Sequence, residues 1–270
     1  MSTQSERLAQ FRALHGKGGL LVLPNAWDAA SARMVQELGA EAIATSSAAV
    51  AWCHGYPDGD VVPNEVAFTA VKEIQRVIAA PLSVDSEGGY SDDPAKVAAF
   101  VLKLIELGVA GINLEDGKSP PDLLCRKIVA IKQAAKTKGA DVFINARCDV
   151  YLHNLVPDDA KLAEIIRRGK LYRDAGADGL FTPAMHDLGE IRDVVGAIDL
   201  PVNILAMKVV PPIAELKSVG VRRVSIGAIT ARAAYGAAQR GVTTLLKDGK
   251  YDTLFATSGD CPNFNALFGG

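Results

Sequence analysis

Carboxylates gather at the ends of short apolar runs in this chain. They read Val84-Asp85-Ser86-Glu87-Gly88-Gly89-Tyr90, Asn113-Leu114-Glu115-Asp116-Gly117 and Asn145-Ala146-Arg147-Cys148-Asp149. A further acid, Asp58, sits in the loop Gly55-Tyr56-Pro57-Asp58-Gly59. Asp85 and Glu87 are two residues apart, so an extended chain points both to the same side. Several carboxylates in one place repel one another unless a cation joins them. With oxygen donors and no His or Cys in the set, the cation expected is Mg²⁺, with Mn²⁺ as an alternative. Arg147 adds a guanidinium, whose fork matches a carboxylate bidentately. Each has a plainer reading: solvated strand ends for Asp85, Glu87 and Glu115, a turn-forming Asp58, and an Arg147 that only neutralises the acids.

A repeat predicts the frame that would bring these groups together. Glu37-Leu38-Gly39-Ala40, Glu106-Leu107-Gly108-Val109, Asp174-Ala175-Gly176-Ala177 and Ser218-Val219-Gly220-Val221 each lead into an apolar run, and Lys138-Gly139-Ala140 is a looser copy. In each, Gly closes an amphipathic helix, a site where a left-handed residue is common. Pro94, behind Asp92 and Asp93, and Pro63 mark helix starts. The runs read as strands are Leu20–Leu23, Ala42–Thr45, Leu82–Asp85, Gly111–Leu114, Val142–Ala146, Gly179–Thr182, Val202–Leu205 and Arg223–Ile226. They are continuously apolar, as expected of strands covered by helices. Eight strand–helix units predict a (β/α)₈ barrel of the TIM type, with its site at the carboxyl ends of the strands. An open doubly wound sheet is the alternative, but no G-x-G-x-x-G follows the first strand. At those ends stand Ser46 and Ser47 after the second strand, and Asn203 on the seventh as a further candidate substrate contact.

The whole chain bounds the function. Its 270 residues, 49% hydrophobic with net charge −2, are read as one barrel domain over 1–270, with a C-terminal extension from about 248 to 270. No basic stripe suggests nucleic acid, and no run is long enough to span a membrane. Cys53, Cys125, Cys148 and Cys261 lack C-x-x-C spacing, and Met1–Gln10 lacks a secretory core, so a cytoplasmic protein with reduced thiols is expected. The four histidines share no spacing and, His54 aside, are expected to be solvated. Lys118 on the loop after the fourth strand is a candidate proton donor. Lys208 raises a Schiff-base aldolase as a competing mechanism.

The motifs taken together, with Pro24-Asn25-Ala26-Trp27-Asp28 after the first strand, resemble the isocitrate lyase/phosphoenolpyruvate mutase superfamily from about Leu20 to about Ala238. The resemblance implies that Asp85 contacts the metal, that Asp58, Glu87 and Glu115 hold its water ligands, and that Arg147 grips the substrate carboxylate. Backbone N–H groups of Ser46 and Ser47 would meet the same end of the substrate. It also implies a homotetramer, a dimer of dimers, that trades its last helix between subunits. Two departures stand out. Glu87 replaces the usual Asp, and the loop Gly117-Lys118-Ser119-Pro120-Pro121-Asp122 is short and lacks the Cys motif of the lyase branch. Pro183 stands where lyases carry Glu. The expectation is a phosphoenolpyruvate mutase-like member acting on a small 2-hydroxy or 2-oxo acid or diacid through an enolate, releasing pyruvate or a close analogue. Phosphonomutase chemistry on a P–C bond and a barrel that binds without turnover are the alternatives.

Overall fold

A computed structural model describes residues 3–16 and 18–269, so Met1, Ser2, Lys17 and Gly270 lie outside the described residues. The first strand is divided in two, β1 (Leu21–Leu23) and β2 (Asn25–Ala26). Between them stands Pro24, which has no N–H to donate. β1 pairs with β9 (Arg223–Ser225), whereas β2 pairs with β3 (Ile43–Thr45). The ring continues in parallel through β4 (Leu82–Asp85), β5 (Gly111–Glu115), β6 (Phe143–Arg147), β7 (Gly179–Phe181) and β8 (Val202–Leu205). The nine strands form one parallel sheet nearly closed into a TIM-type α/β barrel, as the repeat predicts. Glycines at the helix ends of all five repeat copies carry positive φ, between 66° and 107°.

Helices α2 (Ala29–Glu37), α4 (Asn64–Val77), α5 (Pro94–Glu106), α6 (Pro121–Thr137), α7 (Lys161–Ala175), α8 (Leu188–Ala197) and α9 (Ile213–Ser218) cover the sheet, with α3 (Ser47–Cys53) short at the mouth. Their apolar faces supply Val71, Ile74, Val101, Leu104, Ile128 and Ile165 to one continuous core. Burial of such side chains contributes roughly 1.5–3 kcal/mol each.

The opposite end of the barrel is plugged by α1 (Gln4–Leu14), started by a Thr3/Glu6 capping box. Phe11 is fully buried, 5.3 Å from the Phe143 ring in an edge-on contact. Gly111 makes room for it, since a Cβ there would lie 2.7 Å from the Phe11 ring. His15 stacks on Phe143 at 4.4 Å, and its Nδ1 lies 2.7 Å from the Phe11 carbonyl. The expectation of a solvated His15 is therefore corrected. Burial, with Arg223 nearby, pushes its pKa down to about 3. No spacing in the sequence marks this plug.

At the carboxyl end of the chain, α10 (Ile229–Asp248) packs on α11 (Asp252–Ser258), with Leu254 against Gly241, and α12 (Phe264–Phe268) follows. Val242, Leu246 and Phe255 remain exposed. Among the described residues no helix is long and apolar enough to cross a membrane.

Candidate active site

Asp85 ends β4 and is held from three neighbours. Its Oδ2 accepts the Ser47 N–H at 3.1 Å and the Ser47 hydroxyl at 2.9 Å. Its own N–H donates to Thr45 Oγ1 at 2.9 Å. Asn113, in β5, approaches Oδ1 at 3.5 Å and accepts from Asn145 at 2.9 Å and from Arg223 at 3.1 Å. Ser47 can present both donors because it opens α3, for which Ser46 is the N-cap. The Ser46 N–H is already used by the Ala26 carbonyl at 3.2 Å, and that of Ser47 by Asp85. The two amides predicted to meet substrate thus organise the protein itself.

Glu87 follows β4 with φ 49° and reaches across to the loop after β3. Its Oε2 accepts the N–H groups of Gly59 and Asp60. Asp60 reciprocates, accepting from Gly88 at 3.2 Å and Tyr90 at 3.0 Å. This double stitch places Asp58 on the lip of the site. Gly88 fits because a Cβ would lie 2.6 Å from the Asp60 carboxylate. Asp60 had no predicted role, although its Pro-Asp-Gly-Asp setting marks a turn.

Glu115 and Arg147, register partners at the ends of β5 and β6, form an ion pair at 2.5 Å. Arg147 Nε also donates to Asp149 at 2.7 Å, and its guanidinium lies 5.9 Å from the Phe181 ring. Behind them Asp116 is buried. It accepts from the Asp149 N–H at 2.9 Å, Arg168 at 2.7 Å and the Tyr172 hydroxyl at 2.5 Å. Its partners come from α7, 52 and 56 positions along, so nothing local in the sequence reveals them.

One cavity of about 140 Å³ brings together Ser46, Ser47, Asp58, Asp85 and Arg147. Leu152, Phe181, Pro183 and Leu205 form its other wall. Asn203 does not line it. That residue is fully buried and pairs with Ser225 at 3.2 Å, directed into the barrel by the pleat of β8. Glu115 borders the adjoining cavity with Asp60 and Lys118. Lys118, Lys208 and His54 are exposed, and Cys125 lies in α6, off the loop.

The electrostatics favour a cation. Burial pushes the Glu87 pKa up to about 7, with Asp60, Asp58 and Asp85 adding to it. Burial likewise pushes Glu115 up to about 9, although Arg147 opposes the shift. Desolvation, and then Asp85, raise Asp58. Burial works against the charge of Arg147, yet Glu115, Asp149 and Asp85 hold its pKa above the ordinary value. Glu87 Oε1 is buried with no hydrogen-bond partner. Among the described residues no three His, Cys, Asp or Glu side chains converge tightly enough to ligate one ion together. The unpartnered Glu87 Oε1 and the mutual repulsion of Asp58, Asp85 and Glu87 fit a hard cation such as Mg²⁺, which takes one or two carboxylates and keeps several waters.

A pH dependence follows. Glu87 and Glu115 keep protons in the folded state that the unfolded chain releases near its ordinary carboxylate pKa. Without a cation, stability is expected to fall as pH rises from about 4.5, through about 7 for Glu87 and about 9 for Glu115. The Glu87 share is about 3 kcal/mol, from its shift at 1.36 kcal/mol per unit. Thermal melts in chelator at pH 5 and pH 8 should show the loss, and Glu87→Gln should flatten it. An unchanged slope in that variant would refute this assignment.

A parallel barrel with an acid-lined, arginine-bearing mouth defines a class of enzyme-like folds in which the strand ends carry the chemistry. The comparisons narrow it. Residues 11–246 match the family described as phosphoenolpyruvate phosphomutase, and the chain belongs to that family, within the isocitrate lyase/phosphoenolpyruvate mutase superfamily. An uncharacterised protein of Mycobacterium tuberculosis is 39% identical over 223 residues, covering 81% of this chain and 82% of its own. A protein of Corynebacterium glutamicum assigned provisionally as a 2-methylisocitrate lyase is 31% identical, covering 73% and 66%. A crystal structure from Burkholderia cenocepacia, provisionally a lyase or mutase, is 33% identical with TM-score 0.89, covering 99% and 98%.

Proposed function

We propose that the chain is a Mg²⁺-dependent lyase acting on a small 2-hydroxy or 2-oxo acid or diacid through a stabilised enolate, releasing pyruvate or a close analogue. The supporting observation is that Asp58 and Asp85 share one cavity with Arg147, to which Glu115 pairs from the adjoining cavity, while Glu87 Oε1 is buried without a hydrogen-bond partner. Asp85 would hold Mg²⁺, and Asp58, Glu87 and Glu115 its water ligands. When bound, the ion supplies Lewis-acid stabilisation of the charge developing on the 2-oxo oxygen, worth several kcal/mol.

The chain's own residues account for the rest. Arg147, its orientation set by Glu115 and Asp149, grips the substrate carboxylate as a bidentate donor. Ser47 fixes Asp85 through two bonds, so its carboxylate does not reorganise during the reaction. Breaking the bond at C3 of the 2-oxo acid leaves its electron pair on C3 as an enolate within this charged mouth. The other fragment departs without that pair, as carbon dioxide or as an aldehyde that has given up its hydroxyl proton, and a proton taken up at C3 completes pyruvate. P–C bond chemistry is the second reading, supported by the family description. The exposed apolar residues of α10 and α11 support a homotetramer with its last helix exchanged, which mass photometry would read.

Calorimetric titration with oxalate, a planar mimic of the pyruvate enolate, tests the reading. Binding that requires Mg²⁺ and vanishes in chelator is expected. Oxalate binding indifferent to Mg²⁺ would end the enolate mechanism. Turnover of a 2-oxo or 2-hydroxy acid panel would then separate an enzyme from a barrel that only binds.

A further inference from the structure

Beneath the cavity lies a charged side chain that the chemistry above leaves idle. Arg223, at the start of β9, is fully buried and crosses the barrel interior to β5 on the opposite side of the ring. There its Nη2 donates to Asn113 Oδ1 at 3.1 Å, and the Phe11 ring of the plug lies 5.9 Å from its guanidinium. Its Nε and Nη1 are buried without hydrogen-bond partners. Burial pushes its pKa down to about 9, with the charge of Asp85 opposing, so it stays protonated at neutral pH. A buried charge so incompletely satisfied costs stability. Sites commonly give up stability for function, and the bond to Asn113 shows where the function lies.

A guanidinium has donors and no acceptor, so the atom of Asn113 that meets it must be the amide oxygen. Asn145 donates to the same oxygen at 2.9 Å. Asp85, Asn113 and Asn145 are register partners on three adjacent strands, which puts their side chains on one level of the barrel. With its oxygen held by two donors, Asn113 turns its NH₂ toward the mouth, where it lines the cavity with Asp85 and Arg147. One N–H approaches Asp85 Oδ1 at 3.5 Å, and among the described residues nothing accepts the other. The floor of this acid-lined cavity therefore carries a neutral donor, oriented before any ligand arrives.

We propose that the Asn113 side chain donates an N–H to an oxygen of the bound 2-oxo acid, and that Arg223 is the positioning residue that fixes the amide in this sense. This rests on the enolate reading above and adds a residue to that site. β5 lies between the strands that carry Asp85 and Arg147, so Asn113 stands midway between the two groups that would hold the substrate. An amide donates there without a positive charge that would repel Mg²⁺. Turned the other way, its oxygen would face the substrate oxygens and repel them. A donor fixed in advance is the kind that stabilises developing charge without reorganising.

Calorimetry with oxalate at saturating Mg²⁺, with a melting curve on each preparation, is the test. Asn113→Leu and Arg223→Met are each expected to weaken oxalate by about tenfold, the scale of one lost hydrogen bond. Arg223→Lys, which is also donor-only, should recover binding to within about threefold of the parent. The double variant should bind no more weakly than Asn113→Leu alone, because Arg223 acts through the amide. Additive losses, or Arg223→Lys binding no better than Arg223→Met, would overturn the positioning role. Parent-like binding by folded Asn113→Leu would overturn the donor role. A crystal structure of the parent with Mg²⁺ and oxalate reads the contact without any substitution. Asn113 Nδ2 is expected about 3 Å from an oxalate oxygen, and a separation beyond about 4 Å would also overturn the donor role. In all these cases oxalate binding by the parent leaves the enolate reading standing. Failure of the parent to bind oxalate would remove that reading and this inference with it.

Discussion

Asp85→Ala is expected to abolish Mg²⁺-dependent oxalate binding and to lower turnover by at least about 10²–10³-fold, the scale of losing one preorganised electrostatic group. Asp85 is the carboxylate on which the neighbouring bonds converge: two from Ser47, one through its own amide to Thr45, and an approach from Asn113. No other acid in the mouth is so placed to take over. The same substitution removes a negative charge that raises Asp58, Glu87 and Glu115. In chelator at neutral pH the variant should therefore melt at or above the temperature of the parent, while losing its ligand. That pairing separates a lost site from a lost fold, and it is the usual opposition between function and stability at charged sites. Calorimetry and melting curves on the same preparation read both halves. Retained Mg²⁺-dependent oxalate binding would remove Asp85 from its role.

Asp116→Ala should act on the fold. Its carboxylate is buried and satisfies Arg168, the Tyr172 hydroxyl and the Asp149 N–H together. Deleting it leaves Arg168 Nη1, the Tyr172 hydroxyl and the Asp149 N–H without their acceptor, although Glu164 still holds Arg168 Nε, a change of roughly 3–5 kcal/mol when one partner of a buried pair is removed. At 2–4 °C per kcal/mol for a chain approaching this length, melting should fall by about 10 °C. Asp116→Asn keeps the shape and part of the hydrogen bonding, so it should lose less. Activity should fall in both, because Asp149 is anchored by Asp116 and in turn orients Arg147. A loss below about 1 kcal/mol in Asp116→Ala would show that Glu164, already 2.7 Å from Arg168 Nε, suffices to hold the guanidinium.

All eight apolar runs read as strands are strands, within two residues at either end. That part was legible because a helix-ending Gly and a continuously apolar strand are local signals, repeated with each unit. The split at Pro24 was not anticipated, although the missing N–H is written in the residue itself. His15 was misplaced because a lone His between Leu14 and Gly16 carries no trace of the Phe143 ring, 128 positions later, on which it stacks. Asn203 shows the other limit. Its place on a strand was readable, but a single pleat decides whether it faces the cavity or the barrel interior, where it meets Ser225.

Thus the order of residues alone determined the barrel, the strand ends where charge collects, and the identity of the acids and of Arg147. These depend on types and spacings within about ten residues. Tertiary structure alone decided which of those groups share a cavity and which are spent on one another. It set Glu87 to stitching two loops, Asp116 to anchoring α7, and Asn25 to occupying the amides after β9. It also assembled an apolar wall from Leu152, Phe181, Pro183 and Leu205. The physical reason is common to all of them. Burial and hydrogen bonding between distant segments set the pKa values and the free donors, and neither exists until the chain has closed on itself.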